Sequence, residues 1–284
     1  MRLAYIVSAY KRPEQLGRLV RRLHPAASIA IHVDAKTSER VYAAMVAGTA
    51  EVPGVTFLPR HVCRWGSFGH VRASLKGIAD LVENKTDYDY AILLTGQDYP
   101  LTSTDELAGF FERAGGRSFM SHWRLPFTAW SGRGGLDRIE NWHLVGPARL
   151  HLRAPLRRRA PAGLRPSGGS PYWCLARPLV EYVYRLVALR PEIVRFFEHV
   201  YIPDELFFQT ILASSPHAET IANENLRYID WSVDPGPKVL TVADLPAIVD
   251  SGKLFARKFD VQVDSRILDA LDASSDTRLP AVSR

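Results

Sequence analysis

The feature that most restricts the fold is a change of hydrophobic period that repeats along the first half of the chain. Four short apolar runs, Leu3 to Val7, Ile29 to Val33, Val55 to Leu58 and Tyr90 to Leu94, read as strands. Between them, Leu16, Leu19, Val20 and Leu23 recur at helical spacing, as do Val71, Leu75, Ile78 and Val82. Strands that alternate with helices favour parallel pairing, because a parallel return needs a crossover long enough to hold a helix. The expectation is an α/β fold with a mostly parallel central sheet flanked by helices. Ser103-Thr104-Asp105-Glu106 has capping-box spacing and predicts a further helix that ends near Gly115.

The second half is less regular. Gly132, Gly134 and Gly135 come first, then a segment rich in Arg and Pro, then Ser167-Gly168-Gly169-Ser170 as a second flexible stretch. Helical patterns resume at Leu179 to Leu189, Glu192 to His199 and Asp204 to Leu212, followed by a strand-like Leu226 to Trp231 and a short helix near Asp244 to Val249. No repeat or linker divides the chain, so one domain over residues 1–284 is expected.

Charge and cysteine content exclude several classes. Cys63 and Cys174 have no C-x-x-C spacing, so neither a zinc ribbon nor a disulfide framework is possible, and a reducing cytoplasm fits two small buried thiols. The apolar run from Leu3 to Tyr10 is too short for a signal-peptide core, and no run elsewhere reaches membrane-spanning length. The net charge of +6 is concentrated: no carboxylate lies between Glu140 and Glu181, whereas Arg149, Arg153, Arg157, Arg158, Arg159, Arg165 and Arg177 do. With Pro155, Pro161 and Pro166 among them, these arginines read as a solvated mobile loop. Contact with an acidic acceptor, or peripheral contact with an anionic membrane through Arg149 to Arg165, is the alternative. Nucleic acid is disfavoured, since no aromatics interleave with the basic residues.

In an open parallel sheet the loops leaving the carboxyl ends of the strands converge on one edge, where ligands bind. That rule brings together Ser8 to Arg12, Asp34 to Lys36, and Thr95 to Pro100 with Gln97 and Asp98. Asp34 sits where an acid can accept hydrogen bonds from a ribose, or where a turn simply needs a polar residue. No G-x-G-x-x-G and no P-loop occurs, so no glycine nest cradles a phosphate. Asp87-Tyr88-Asp89 has the D-x-D form that holds divalent metals, but it precedes its strand and so lies at the wrong end of it. Asp98 alone is thin support for Mg²⁺, and no catalytic metal is expected. A diphosphate would then need fixed cations, for which Lys238, Arg257 and Lys258 are the candidates. Pro203-Asp204-Glu205 is the best carboxylate candidate for a base, although by itself it reads first as a helix start. Trp65-Gly66-Ser67 and Ser170-Pro171-Tyr172-Trp173 suit sugar stacking or core packing. His32, His122, His143 and His217 share no metal-ligand spacing.

Six segments, in this order, resemble the core-2/I-branching β-1,6-N-acetylglucosaminyltransferase family, which also includes protein xylosyltransferases. They are Ile31 to Lys36, Trp65 to Ser67, Leu93 to Leu101, Pro203 to Glu205, Leu226 to Trp231 and Leu254 to Phe259. The resemblance implies a GT-A nucleotide-diphosphosugar fold and inverting, metal-independent transfer from a UDP-sugar to an acceptor hydroxyl. N-acetylglucosamine is the donor expected first, with xylosyl or natural-product transfer as the alternative and a silent glycan-binding protein as a remote one. It makes Glu205 the general base, sets Lys258 against the diphosphate and puts Asp34 in the nucleotide segment. With the strand-end rule, the expected donor site is Ser8, Arg12, Asp34, Lys36, Gln97, Asp98, Lys238, Arg257 and Lys258. The expected acceptor site is Trp65, Tyr172, Trp173 and Asp204. Residues 1–125 would form the nucleotide-binding half and 126–284 the acceptor and catalytic half, with a basic loop near 145–170. Animal members are Golgi-anchored and rich in disulfides. The absence of both features suggests a cytoplasmic bacterial relative acting on a glycan, glycoconjugate or small hydroxyl acceptor.

Overall fold

A computed structural model describes residues 1–24, 27–148 and 150–274. Its strands are β1 (Leu3–Ala9), β2 (Ala27–Val33), β3 (Val55–Phe57), β4 (Tyr90–Thr95), β5 (Asp98–Pro100), β6 (Ser118–Arg124), β7 (Trp142–Val145), β8 (His151–Ala154), β9 (Ser167–Ala176), β10 (Ile221–Ala222), β11 (Arg227–Ile229) and β12 (Phe255–Arg257). The first four helices are α1 (Pro13–Leu23), α2 (Glu39–Ala47), α3 (Gly69–Glu83) and α4 (Thr104–Arg113).

Seven strands form the central sheet in the order β10-β6-β9-β4-β1-β2-β3. β1 pairs in parallel with β2 and β4, β2 with β3, and β6 with β10; β9 runs antiparallel between β4 and β6. The α/β class with a mostly parallel sheet between helices is thus what the chain adopts. β1 shows why. Leu3, Tyr5, Val7 and Ala9 enter one core layer with Leu16, Leu19 and Val20 of α1. Ala4 and Ile6 face the other way and pack with Val71 and Ile78 of α3. A strand covered on both faces must be apolar at every position rather than at alternate ones. Gly77 lets α3 approach closely, since a Cβ there would lie 2.5 Å from Ile6 Cγ2.

The capping box at Ser103 and Glu106 forms as expected. Three expectations change. Ser167–Ser170 is the start of β9 rather than a flexible stretch, because its backbone pairs with β6 across a bulge between Met120 and His122. His151–Ala154 is not a mobile loop but a strand, paired antiparallel with β7; Arg149 lies outside the described residues. Pro203–Glu205 opens no long helix: it is a single 3-10 turn, broken at Leu206 (φ −132) before the helix Phe207–Ala213.

A second sheet, β11-β12-β5, is set beside the first, with Arg257 opposite Asp98. Among the described residues, no helix is long and apolar enough to cross a membrane.

Candidate active site

The carboxyl ends of β1, β2 and β4 stand level, since Ser8 is opposite both His32 and Thr95. Above them opens a cleft of about 840 Å³, within the range of small-molecule sites. Ser8, Asp34 and Gln97 line it from the sheet edge, Trp65 and Tyr172 from its flanks, and Asp204, Glu205, Arg257 and Lys258 from the second half of the chain. Of the expected site residues, Arg12, Lys36, Asp98, Trp173 and Lys238 do not line it.

Glu205 is placed by a strained segment. Ile202, a β-branched residue, has φ 51, and its N–H donates to Gly66 O at 3.0 Å. Gly66 itself has φ 76, and a Cβ there would fall 2.9 Å from Tyr201 Cε2. Trp65-Gly66 therefore docks on Tyr201-Ile202, with the Trp65 ring edge-on to Tyr201 at 5.7 Å and 70% exposed. Arg138 Nη1 donates to Glu205 Oε2 at 2.8 Å, and its guanidinium lies 4.2 Å above the Trp130 ring. Burial raises the Glu205 pKa, as does the neighbouring Asp204, while Arg138 opposes both. Asp204 is also pushed up by burial, and its Oδ1 is buried without a partner. Nothing in the sequence marks Arg138, because its relation to Glu205 exists only once the chain has folded.

The expected cations separate into two groups. Arg257 lies over the Tyr172 ring at 4.4 Å, and its Nε is 3.0 Å from Asp98 Oδ1 at an angle outside hydrogen-bond geometry. Lys258 is one residue on; burial lowers its pKa first, and Arg257 and Lys11 lower it further. Both neighbouring charges that shift Lys258 are positive, so an anion bound in the cleft would be favoured by all three cations. Lys238, by contrast, donates to Asp244 at 2.6 Å, so its charge is already matched away from the cleft. Arg12 is likewise reassigned. Arg12 Nε and Lys11 Nζ bind the two oxygens of Asp260 at 2.7 and 2.6 Å and hold its pKa far below the usual carboxylate range. That cluster anchors the segment carrying Lys258 against the loop after β1.

Asp98 is also a support rather than a ligand. It is 1% exposed and accepts the Thr95 N–H while facing Arg257. Gln97 reaches the cleft, but its amide is used by Phe259 O and the Tyr10 hydroxyl. Asp34 accepts the N–H groups of Lys36 and Cys63 at 2.9 and 3.2 Å through Oδ1, and the Lys36 ammonium lies 3.3 Å from Oδ2. Trp173 is corrected from acceptor platform to core: it is fully buried against Phe208, because alternation along β9 turns it to the side opposite Tyr172.

The D-x-D is distant from the cleft. Asp87 and Asp89 both pair with Arg2, at the amino end of β1 and β4. One set of metal-ligating types does converge among the described residues: donor atoms of His32, His61 and Cys63 lie within 4.8 Å of one another and could hold a thiophilic ion. Sequence spacing did not show it, since His32 comes from β2 and the other two from a separate loop. The imidazoles interact instead with each other, His32 Nε2 to His61 Nδ1 at 2.9 Å. Burial lowers the His32 pKa to about 4 and raises that of Cys63 to about 12, so both groups are neutral near pH 7. Other cleft residues with no sequence signal are His70 and Asn225; Tyr10 and Lys11 follow from the strand-end rule.

The model of the Core-2/I-Branching enzyme family matches residues 3–251, most of the chain. This protein belongs to the Core-2/I-branching enzyme family. Among its relatives, xylosyltransferase 2 of Rattus norvegicus is 29% identical over 294 residues, which is 96% of this chain and 33% of the relative. Xylosyltransferase 1 of Homo sapiens is 28% identical over 295 residues, 96% of this chain and 30% of the relative. The chain therefore spans about a third of the length of these relatives. A solved structure, 4-diphosphocytidyl-2C-methyl-D-erythritol synthase of Anaerococcus prevotii, overlays 69% of this chain and 81% of its own at a TM-score of 0.35 and 7% identity, too loosely to argue from.

Proposed function

We propose that this family member is an inverting glycosyltransferase that moves a sugar from a UDP-sugar to an acceptor hydroxyl without a metal ion. The observation that supports this reading most is that Glu205 and Lys258, remote in sequence, open onto one cleft at the carboxyl edge of the sheet. Glu205 accepts the proton of the acceptor hydroxyl as that oxygen forms a bond to the anomeric carbon. The bond from that carbon to the diphosphate oxygen breaks on the opposite face, and UDP departs with its charge met by Lys258. An α-linked donor then yields a β-linked product. Asp34 receives the ribose, and the Asp204 carboxylate accepts a hydrogen bond from a sugar hydroxyl. A reducing compartment suits this reading, since Cys63 and Cys174 are free and buried.

UDP-xylose is the first donor to test, because the relatives are named xylosyltransferases. UDP-N-acetylglucosamine, which the sequence resemblance suggests first, is the second. UDP release would be measured with each donor, with and without candidate hydroxyl acceptors, in EDTA and then with Mg²⁺ or Mn²⁺. Full activity in EDTA is expected; a strict metal requirement contradicts the role given to Lys258, and absence of turnover with every donor overturns the reading.

A further inference from the structure

The ribbon of β7 and β8 has two unlike faces. In its register Trp142 is opposite Ala154, His143 opposite Arg153, Leu144 opposite Leu152 and Val145 opposite His151. Alternation puts His143 and His151 on the inner face, where they stack on Tyr201 at 5.5 and 4.0 Å. The other face carries Trp142, Leu144 and Leu152, which are 42%, 56% and 52% exposed; Leu150 and Leu156 nearby are also exposed. Scattered exposed leucines are ordinary, but this many on one short ribbon face mark a contact surface. Arg153 belongs to the inner face, opposite His143 and 3.7 Å from Asp137, but Arg157 and Arg159, next after β8, are exposed in a stretch with no carboxylate between Glu140 and Glu181.

We propose that this ribbon docks on an anionic lipid bilayer, with its leucines and Trp142 in the interfacial layer and its arginines against lipid phosphates. Apolar side chains rimmed by cations are what such a surface binds, and Trp favours the interface. A second copy of the chain fits less well, since two such faces would bring Arg157 and Arg159 against their own counterparts. Nucleic acid fits less well too, because the face is mostly leucine and its Trp142 ring is already packed against Arg158 and His199. The inner face rests on Tyr201, four residues before Glu205, so docking brings the acceptor side of the cleft to the membrane. If the proposed transferase reading holds, the acceptor class is then a membrane-anchored hydroxyl compound.

The test is sedimentation with phosphatidylcholine vesicles that do or do not contain phosphatidylglycerol. The protein is expected to sediment with the anionic vesicles only. Leu144→Asp/Leu152→Asp and, separately, Arg157→Glu/Arg159→Glu should each reduce the bound fraction at least tenfold. All four side chains are exposed, so melting temperature and any UDP-sugar hydrolysis should stay as in the parent. Failure of the parent to bind anionic vesicles overturns the proposal, as does undiminished binding by the leucine variant. So does a dimer of the parent that the leucine variant breaks, which makes the face a self-interface, or a preference for oligonucleotide over vesicles. Vesicle binding without turnover of any UDP-sugar would leave the docking in place and remove the transferase reading.

Discussion

Glu205 is pulled in opposite directions: burial and the Asp204 carboxylate raise its pKa, and the Arg138 guanidinium lowers it. A base must be ionised to act, so the acid limb of the rate profile should lie above the ordinary glutamate value of about 4.3. Arg138→Gln removes the lowering influence and should move that limb to higher pH. Asp204→Asn removes a raising one and should move it to lower pH. Rate profiles of kcat for both variants check the pair of directions, and a shift of the same sign in both would contradict the assignment. Glu205→Gln should lower turnover by about 10²- to 10⁴-fold with the melting temperature unchanged. Lys258→Ala should slow turnover by about 10²- to 10³-fold through the departing diphosphate. The resemblance alone singles out Glu205 and Lys258 from the sequence. Arg138 is not legible there, because its role depends on a 2.8 Å contact that spacing does not encode.

The elements that carry these residues are held by contacts remote from the chemistry. The turn bearing Glu205 hangs on the Gly66 to Ile202 contact, so Gly66→Ala forces a side chain into a positive φ and onto the Tyr201 ring. A cost of about 1–3 kcal/mol is expected, together with loss of kcat, both measurable by thermal unfolding and steady-state rates. The segment bearing Lys258 hangs on Asp260, whose oxygens bind Lys11 and Arg12. Asp260→Asn should cost on the order of 2 kcal/mol at neutral pH. Because the folded-state pKa of Asp260 is depressed, that stabilisation is complete above the unfolded value of about 3.9 and is lost as the pH falls further. Melting temperatures of parent and variant should therefore converge in acid. Buried Arg227 joins the two sheets: its guanidinium donates to Leu93 O of β4 at 2.6 Å and lies over Phe255 of β12. The sequence shows Arg227 only as one more residue in a short apolar run.

At the scale of the whole molecule, the cleft exists because parallel strands end level and the second half of the chain folds back over that edge. The alternation of periods determined the first part: β1 to β4, α1 and α3 stand where their apolar spacing put them, since a strand buried on both faces has to read as continuous apolar sequence. The same rule correctly made neighbours of Ser8, Asp34 and Gln97, and left Asp87 and Asp89 at the other end. What periodicity could not decide was the partner of each charge. Arg12, Asp98 and Lys238 look like ligands in one dimension and are ion-pair partners in three, because pairing depends on a few ångströms between segments distant in sequence. The basic stretch likewise reads as loop, since prolines and arginines hide the two-residue alternation of Leu150, Leu152 and Ala154. Local sequence thus set which segments are strands and helices and which strand ends form an edge; tertiary packing alone set Lys258, rather than Arg12 or Lys238, on the cleft and gave the ribbon its exposed face.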